Sequence, residues 1–184
     1  MAGTFSQILF HIVFATKGRW PWLTPAVRGR MHAYLGGIAR DEGCVALAVG
    51  GVSDHVHLLV RGKPDVRLSD LLRNLKSRSS AWAHQTLPGL DSFAWQEGYA
   101  LFSVSKSGEA KVVEYIETQE KHHAAKDYRD ELIEMFRLYG ITYEEERFAV
   151  EPLDPRLAVK APKEPTNVAT GGGPEGAGTR GFRG

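Results

Sequence analysis

The order of apolar segments constrains this chain more than any other feature. "SQILFHIVFAT" (6–16) is dense in β-branched and aromatic residues, the composition of a strand. Residues 24–43 then read as a helix. Thr24 stands at the N-cap position and Pro25 at the first helical position, with Val27, Met31, Leu35 and Ile38 at helical spacing and Gly43 at the end. Residues 44–52 and 55–62 are two short apolar runs, close enough to form a hairpin. Residues 68–87 read as a second helix, with Ser69 as its cap and Leu71, Leu72, Leu75 and Trp82 facing inward. Residues 93–105 read as one bent strand or two short ones, with the break at Gly98. Two further helices follow, at 108–123 and 126–140, the second closed by Gly140.

The order is β-α-β-β-α-β plus two helices. It predicts an α+β, ferredoxin-like split β-α-β fold: one antiparallel sheet with two helices on one face. The two extra helices are the obvious cover for the other face. From about residue 151 the chain turns rich in Pro and Gly and loses apolar periodicity. Residues 1–150 are therefore predicted to form the domain, and 151–184 a disordered tail that buries too little surface to offset its ordering entropy.

Composition narrows the setting. A single cysteine, Cys44, excludes an internal disulfide and a cysteine zinc cluster, and fits a reducing cytosol. No run approaches the roughly 20 apolar residues needed to cross a bilayer, and residues 1–16 lack a basic start. A cytoplasmic protein without a membrane partner is expected. The net charge of +1 argues for no partner, but its distribution is uneven: residues 1–110 hold 12 Lys/Arg against 8 Asp/Glu, and residues 111–150 hold 6 against 10. Any one basic cluster is ordinarily a solvated surface. Taken together, Lys17, Arg19, Arg73, Lys76 and Arg78 are candidate phosphate contacts, and Trp20, Trp22 and Trp95 candidate stacking platforms for unpaired bases, although Trp95 fits a core position at least as well.

The segment "SDHVHLLV" (53–60) carries the chemistry. Side chains alternate along a strand, so Asp54, Val56, Leu58 and Val60 share the face that suits the helix-covered core. His55 and His57 then lie side by side on the opposite face, spaced so that two imidazoles can share one metal ion. In the helix at 108–123, Tyr115 and Gln119 are four residues apart and stack on one face with Val112 and Ile116. A tyrosine in such a stripe is ordinary packing, but a glutamine is not, because its amide needs a partner. If this helix covers the open sheet face, the Gln119 carbonyl oxygen becomes a third ligand and Tyr115 stands one turn from the ion. His122 or His123 could approach the same place, although histidines at a helix C-terminus ordinarily face solvent.

The set "TKGRW" (16–20), "DHVHLLV" (54–60), "LKSRSS" (75–80), "WQEGYALFSVS" (95–105) and "YIETQ" (115–119) resembles the single-tyrosine insertion-sequence transposases, including their REP-associated relatives, of the histidine-hydrophobe-histidine (HUH) endonuclease superfamily. The resemblance spans roughly residues 5–148. It implies that His55, His57 and Gln119 bind a divalent ion, and that Tyr115 is the nucleophile. It also implies a homodimer acting on single-stranded DNA at hairpin-marked ends, without a nucleotide cofactor.

A tyrosine suits that reaction because a phosphotyrosine link keeps the bond energy for later rejoining, where water would lose it. Two imidazoles and an amide oxygen leave open positions for phosphate. Affinity favours Mn²⁺ there, and availability favours Mg²⁺. Tyr99 and Tyr128 are rival nucleophiles without a glutamine four residues on. The other readings are a domesticated, non-catalytic binder of single-stranded DNA or RNA hairpins, and a zinc hydrolase. The latter would need a further His, Asp or Glu ligand that no motif supplies.

Overall fold

The computed structural model describes residues 5–123 and 127–143. The predicted tail lies outside the described residues, as do the side chains of His122 and His123. Four strands form one sheet: β1 (Ile8–Ala15), β2 (Val45–Gly51), β3 (His55–Gly62) and β4 (Ala100–Val104). Their order is β2-β3-β1-β4, and every adjacent pair is antiparallel. Helices α1 (Pro25–Asp41) and α2 (Leu68–Thr86) are the crossovers, and α3 (Glu109–Glu117), α4 (Gln119–His123) and α5 (Tyr128–Tyr139) follow β4. This is the expected α+β split β-α-β arrangement.

The two sheet faces bury different chemistry. One presents Ile12, Phe14, Val56, Leu58 and Val60 to Met31, Leu35 and Ile38 of α1 and to Leu71, Leu72 and Leu75 of α2. Each such side chain contributes about 1.5–3 kcal/mol when fully buried. The opposite face carries two smaller apolar clusters. Leu9, Ala48 and Leu59 pack under Ile116 of α3. Val13, Ala100 and Phe102 pack under Leu132, Met135 and Phe136 of α5. The helices that follow β4 therefore cover the second face side by side.

Glycine makes one of these contacts unusually close. A Cβ on Gly50 would lie 2.3 Å from the Ile116 carbonyl oxygen, so β2 admits α3 only because residue 50 has no side chain. Gly51 adopts φ 140°, and its Cβ would lie 2.2 Å from the His55 carbonyl oxygen. The "VGG" before the hairpin thus sets both the turn into β3 and the seat of α3.

Local details refine or depart from expectation in five places. Arg67, not Ser69, occupies the N-cap position of α2, and no side chain caps it. Thr24 stands at the N-cap of α1 without a side-chain hydrogen bond. Trp82 is half-buried, stacked on Tyr34 at 4.4 Å across the α1–α2 seam. The stretch 93–105 holds one strand, because Gly98 adopts φ 78° and leaves Trp95 with a single bridge to Thr16. The helix expected over 108–123 breaks at Thr118, whose φ of −103° and ψ of 16° are not helical. Its backbone N–H and its Oγ1 both donate to the Glu114 carbonyl, at 3.0 and 2.7 Å.

Candidate active site

The site lies on the second sheet face, at the seam between α3 and α5. Parity on β3 puts His55 and His57 there, both fully buried. Gln119 enters from the start of α4 and is 1% exposed. Tyr115 enters from α3, packed against both apolar clusters. The structure thus gathers all four expected residues within one chain and adds two more, His11 and Glu131.

Glu131 is the hub. It is 4% exposed, and His55, His57 and Glu131 offer ligand atoms that all lie within 4.8 Å of one another. His55 Nε2 lies 3.5 Å from Glu131 Oε2, and His57 Nε2 lies 3.4 Å from Glu131 Oε1. Ligands about 2.1 Å from a shared ion sit roughly 3.0–3.5 Å apart, so this geometry fits a metal. Gln119 Nε2 donates to Glu131 Oε1 at 3.0 Å, and the Tyr115 hydroxyl donates to the same oxygen. Among the described residues, His57 Nε2 and Gln119 Oε1 are buried with no hydrogen-bond partner. Buried polar atoms are seldom left so, and these two are electron-pair donors. A set of two imidazole nitrogens, a carboxylate and an amide oxygen suits Mn²⁺, Mg²⁺ or Zn²⁺ by ligand type. The sequence expectation that no further acidic ligand is available is corrected here, since Glu131 arrives on a separate helix.

Each histidine is oriented from behind. His55 Nδ1 donates to Asp54 Oδ1 at 2.8 Å, which leaves its Nε2 lone pair facing the site. Asp54 is itself held by Arg19, whose Nε donates at 3.0 Å and whose terminal nitrogen makes a second bond to the same oxygen. Burial pushes the Asp54 carboxyl up, but the His55 hydrogen bond and Arg19 outweigh it and hold the group below its usual range. Asp54 therefore orients His55 and does not lie in the core, which corrects the expectation from strand parity: β3 begins only at His55. His57 Nδ1 lies 3.0 Å from His11 Nε2. The tautomer that keeps a lone pair on His57 Nε2 has its Nδ1–H donating to His11. Burial lowers His11 to about 3 and His55 to about 4, so both are neutral near pH 7. Burial, and then the Glu131 carboxylate, push the Tyr115 phenol well above its ordinary value.

Other expected residues fall elsewhere. Arg73 and Arg78 lie on α2, across the sheet from the histidines, and pair with Asp70 at 2.7 Å and Asp41 at 2.6 Å. Lys76 donates to the Gln96 and Gly98 carbonyls. Lys17 is exposed in the turn after β1. Trp20, Trp22 and Trp95 all belong to the apolar core, at 9%, 1% and 7% exposure, so none is a platform for bases. Burying an indole gains more than leaving it in water, and that preference decides all three. Tyr128 lies 4.8 Å from the His55 ring, beneath the Arg19 guanidinium at 4.0 Å, and burial raises its phenol.

His11 and Glu131 are not singled out by the sequence, yet both leave a signal. His11 shares the face of Leu9 and Val13 on an otherwise apolar strand. Glu131 interrupts the apolar stripe Tyr128, Leu132, Met135 and Phe136 of α5.

Comparison with known proteins identifies relatives of the chain. The ISDra2 transposase TnpA of Deinococcus radiodurans is 27% identical over 122 residues, 64% of this chain and 87% of the relative. A crystal structure assigned as a transposase of Deinococcus radiodurans R1 matches with a TM-score of 0.50 and 28% identity, covering 65% of this chain and 95% of that one. A REP-associated tyrosine transposase bound to a REP hairpin matches with a TM-score of 0.48 and 18% identity, over 67% of this chain and 74% of that one. The sequence profile described as "Transposase IS200 like" matches residues 4–119, the span holding the sheet, both histidines, Tyr115 and Gln119, and the chain therefore belongs to the IS200-like transposase family.

Proposed function

We propose that this transposase cleaves and rejoins single-stranded DNA at hairpin-marked ends through a 5′-phosphotyrosine on Tyr115, with Mg²⁺ or Mn²⁺ held by His55, His57, Gln119 and Glu131. The observation that carries the reading is the convergence on Glu131. Tyr115, Gln119 and both histidines all meet that one carboxylate, and the buried donor atoms of His57 and Gln119 have no other hydrogen-bond use among the described residues. When bound, the ion would polarise a non-bridging phosphate oxygen and offset its charge. The chain's own residues do the rest. Asp54 and His11 fix the two imidazoles. Glu131 Oε1 accepts the Tyr115 proton as the phenol oxygen attacks phosphorus. The bond from phosphorus to the 3′ oxygen breaks, that oxygen takes up a proton, and a free 3′-hydroxyl results. In the reverse direction a 3′-hydroxyl attacks the phosphotyrosine and Tyr115 recovers its proton. The hairpin substrate and a homodimer are supported by the family resemblance.

The test is a denaturing-gel assay with labelled single-stranded DNA carrying the hairpins that flank the gene, in Mn²⁺ or Mg²⁺. A covalent adduct is expected with wild type, and none with Tyr115→Phe, with His57→Ala or after chelation. Hairpin binding without any adduct would sink the catalytic reading and leave a binding protein. A metal panel in the same assay reads the ion, and sedimentation reads the oligomeric state.

A further inference from the structure

Beside the metal site lies a cleft of about 590 Å³, walled by the lead-in to β4 on one side and α5 on the other. That volume is in the range of small-ligand sites. Its floor is apolar, made by Phe14, Ala100, Leu132 and Phe136. It adjoins the metal site across Tyr128, whose ring packs 4.8 Å from His55 and also lines the cleft.

The far wall is built to present an aromatic ring. Tyr99 is 50% exposed and lines the cleft directly after Gly98, whose φ of 78° turns the chain. The loop that carries it is braced at both ends. Lys76 donates to the Gln96 carbonyl and, at 2.8 Å, to that of Gly98, while Trp95 Nε1 donates to the buried Ser79 Oγ at 2.8 Å. The ring therefore offers a face to solvent from a braced loop above an apolar floor. The rim carries Arg129, Glu97 and the Arg19 guanidinium, which is paired with Asp54.

We propose that this cleft takes an unpaired nucleobase next to the scissile phosphate, stacked on Tyr99, with its backbone phosphate beside Arg19 and Arg129. The proposal rests on the reading of the substrate as single-stranded DNA. The cleft adjoins the metal site across Tyr128, so a nucleotide that flanks a phosphate at His55 and His57 lies within reach of it. A base stacked on Tyr99 has left its own duplex stack, so the occupant is an unpaired base. Aromatic stacking tolerates any base, which makes Tyr99 a contributor to affinity and placement more than to sequence choice.

The experiment uses the full chain with Mn²⁺ and two fluorescein-labelled probes, a twelve-nucleotide oligothymidylate and an abasic oligomer of equal length. Loss of one stacked base predicts that Tyr99→Ala binds oligothymidylate about tenfold more weakly. Tyr99→Trp should bind as wild type does, and all three proteins should bind the abasic probe alike. In parallel, 5-iodouracil in the oligomer should crosslink to the peptide containing Tyr99 on irradiation. Unchanged oligothymidylate affinity in Tyr99→Ala overturns the proposal, as do equal losses on both probes or a crosslink confined to other peptides. If wild type binds neither probe, the single-stranded DNA reading falls with it. If Tyr115 forms its adduct while Tyr99→Ala binds normally, only the cleft assignment fails.

Discussion

The two faces of the sheet are covered by opposite means. Under α1 and α2 the interior is apolar and aromatic, and its one buried serine is used to anchor Trp95. Under α3 and α5 two thin apolar clusters flank a core of three imidazoles, a carboxylate, an amide and a phenol. The first face supplies folding energy. The second spends part of it, since buried polar groups stabilise only when fully partnered. The same strands serve both, because alternation sends Val56 and Leu58 one way and His55 and His57 the other. A site built this way inherits rigidity from a layer that takes no part in the chemistry.

That contrast can be broken from either side. Leu35→Ala cuts into the α1 layer and should cost about 2–5 kcal/mol in denaturant titration, with Mn²⁺ affinity per folded molecule unchanged. Weakened affinity there would show that the layers are not independent. Gly50→Ala should act in reverse. A methyl 2.3 Å from the Ile116 carbonyl must displace α3, and with it Tyr115. Adduct formation should fall roughly 100-fold, the scale of an ångström misplacement, while near-ultraviolet dichroism from the tryptophan-rich layer persists.

Acid should strike the histidine face hardest. Burial holds His11 near 3 and His55 near 4 in the folded protein, below the unfolded value of 6.5. The unfolded chain then binds more protons, so stability is full above about pH 6.5 and falls as pH drops toward the folded values. By pH 5 the loss is on the order of 2 kcal/mol for each histidine. Thermal melts at pH 7.5 and 5.0 read the sum. Burial also lowers His32 of α1 to about 4, so His32→Gln should remove its share and leave the larger part of the fall. The smallest effect concerns Glu131. Without metal, a buried carboxylate is costly even with the Tyr115 and Gln119 hydrogen bonds, so Glu131→Gln should raise the melting temperature of the chelated protein, by about 1 kcal/mol in stability. It should also shrink the increment that Mn²⁺ adds. A chelated variant that melts lower than wild type would show that Glu131 is already compensated.

Much of this was legible in the sequence, and the remainder fails for identifiable reasons. Strand parity is a hard geometric rule, so the faces of residues 55–60 follow from "HVHLLV" alone. The element order follows from apolar periodicity and from Pro25, Gly98 and Gly140. The tryptophans near basic residues suggest base stacking only until the core claims them. Helix continuity fails at Thr118, whose hydroxyl and N–H both turn onto the Glu114 carbonyl, a local feature that no periodicity records. Asp54 was legible as a neighbour of His55 but not as its orienting acceptor, since that role is completed by Arg19 from another segment. Glu131 is the hardest case. It lies beyond the residues 4–119 matched by the family profile, and only tertiary contact brings α5 to β3.

Arg19 bears on how this gene would decay. It is the one non-glycine residue with positive φ among the described residues, at 59°, beside Gly18 at 62°. A side chain in that conformation costs about 1 kcal/mol that glycine would not. Glycine lies one base change from arginine and would relieve the turn of that cost. Only the guanidinium that holds Asp54 and covers Tyr128 opposes that change. Across copies of such an element, arginine at this position should therefore mark those whose strand-transfer chemistry is still under selection, and glycine those that have begun to erode.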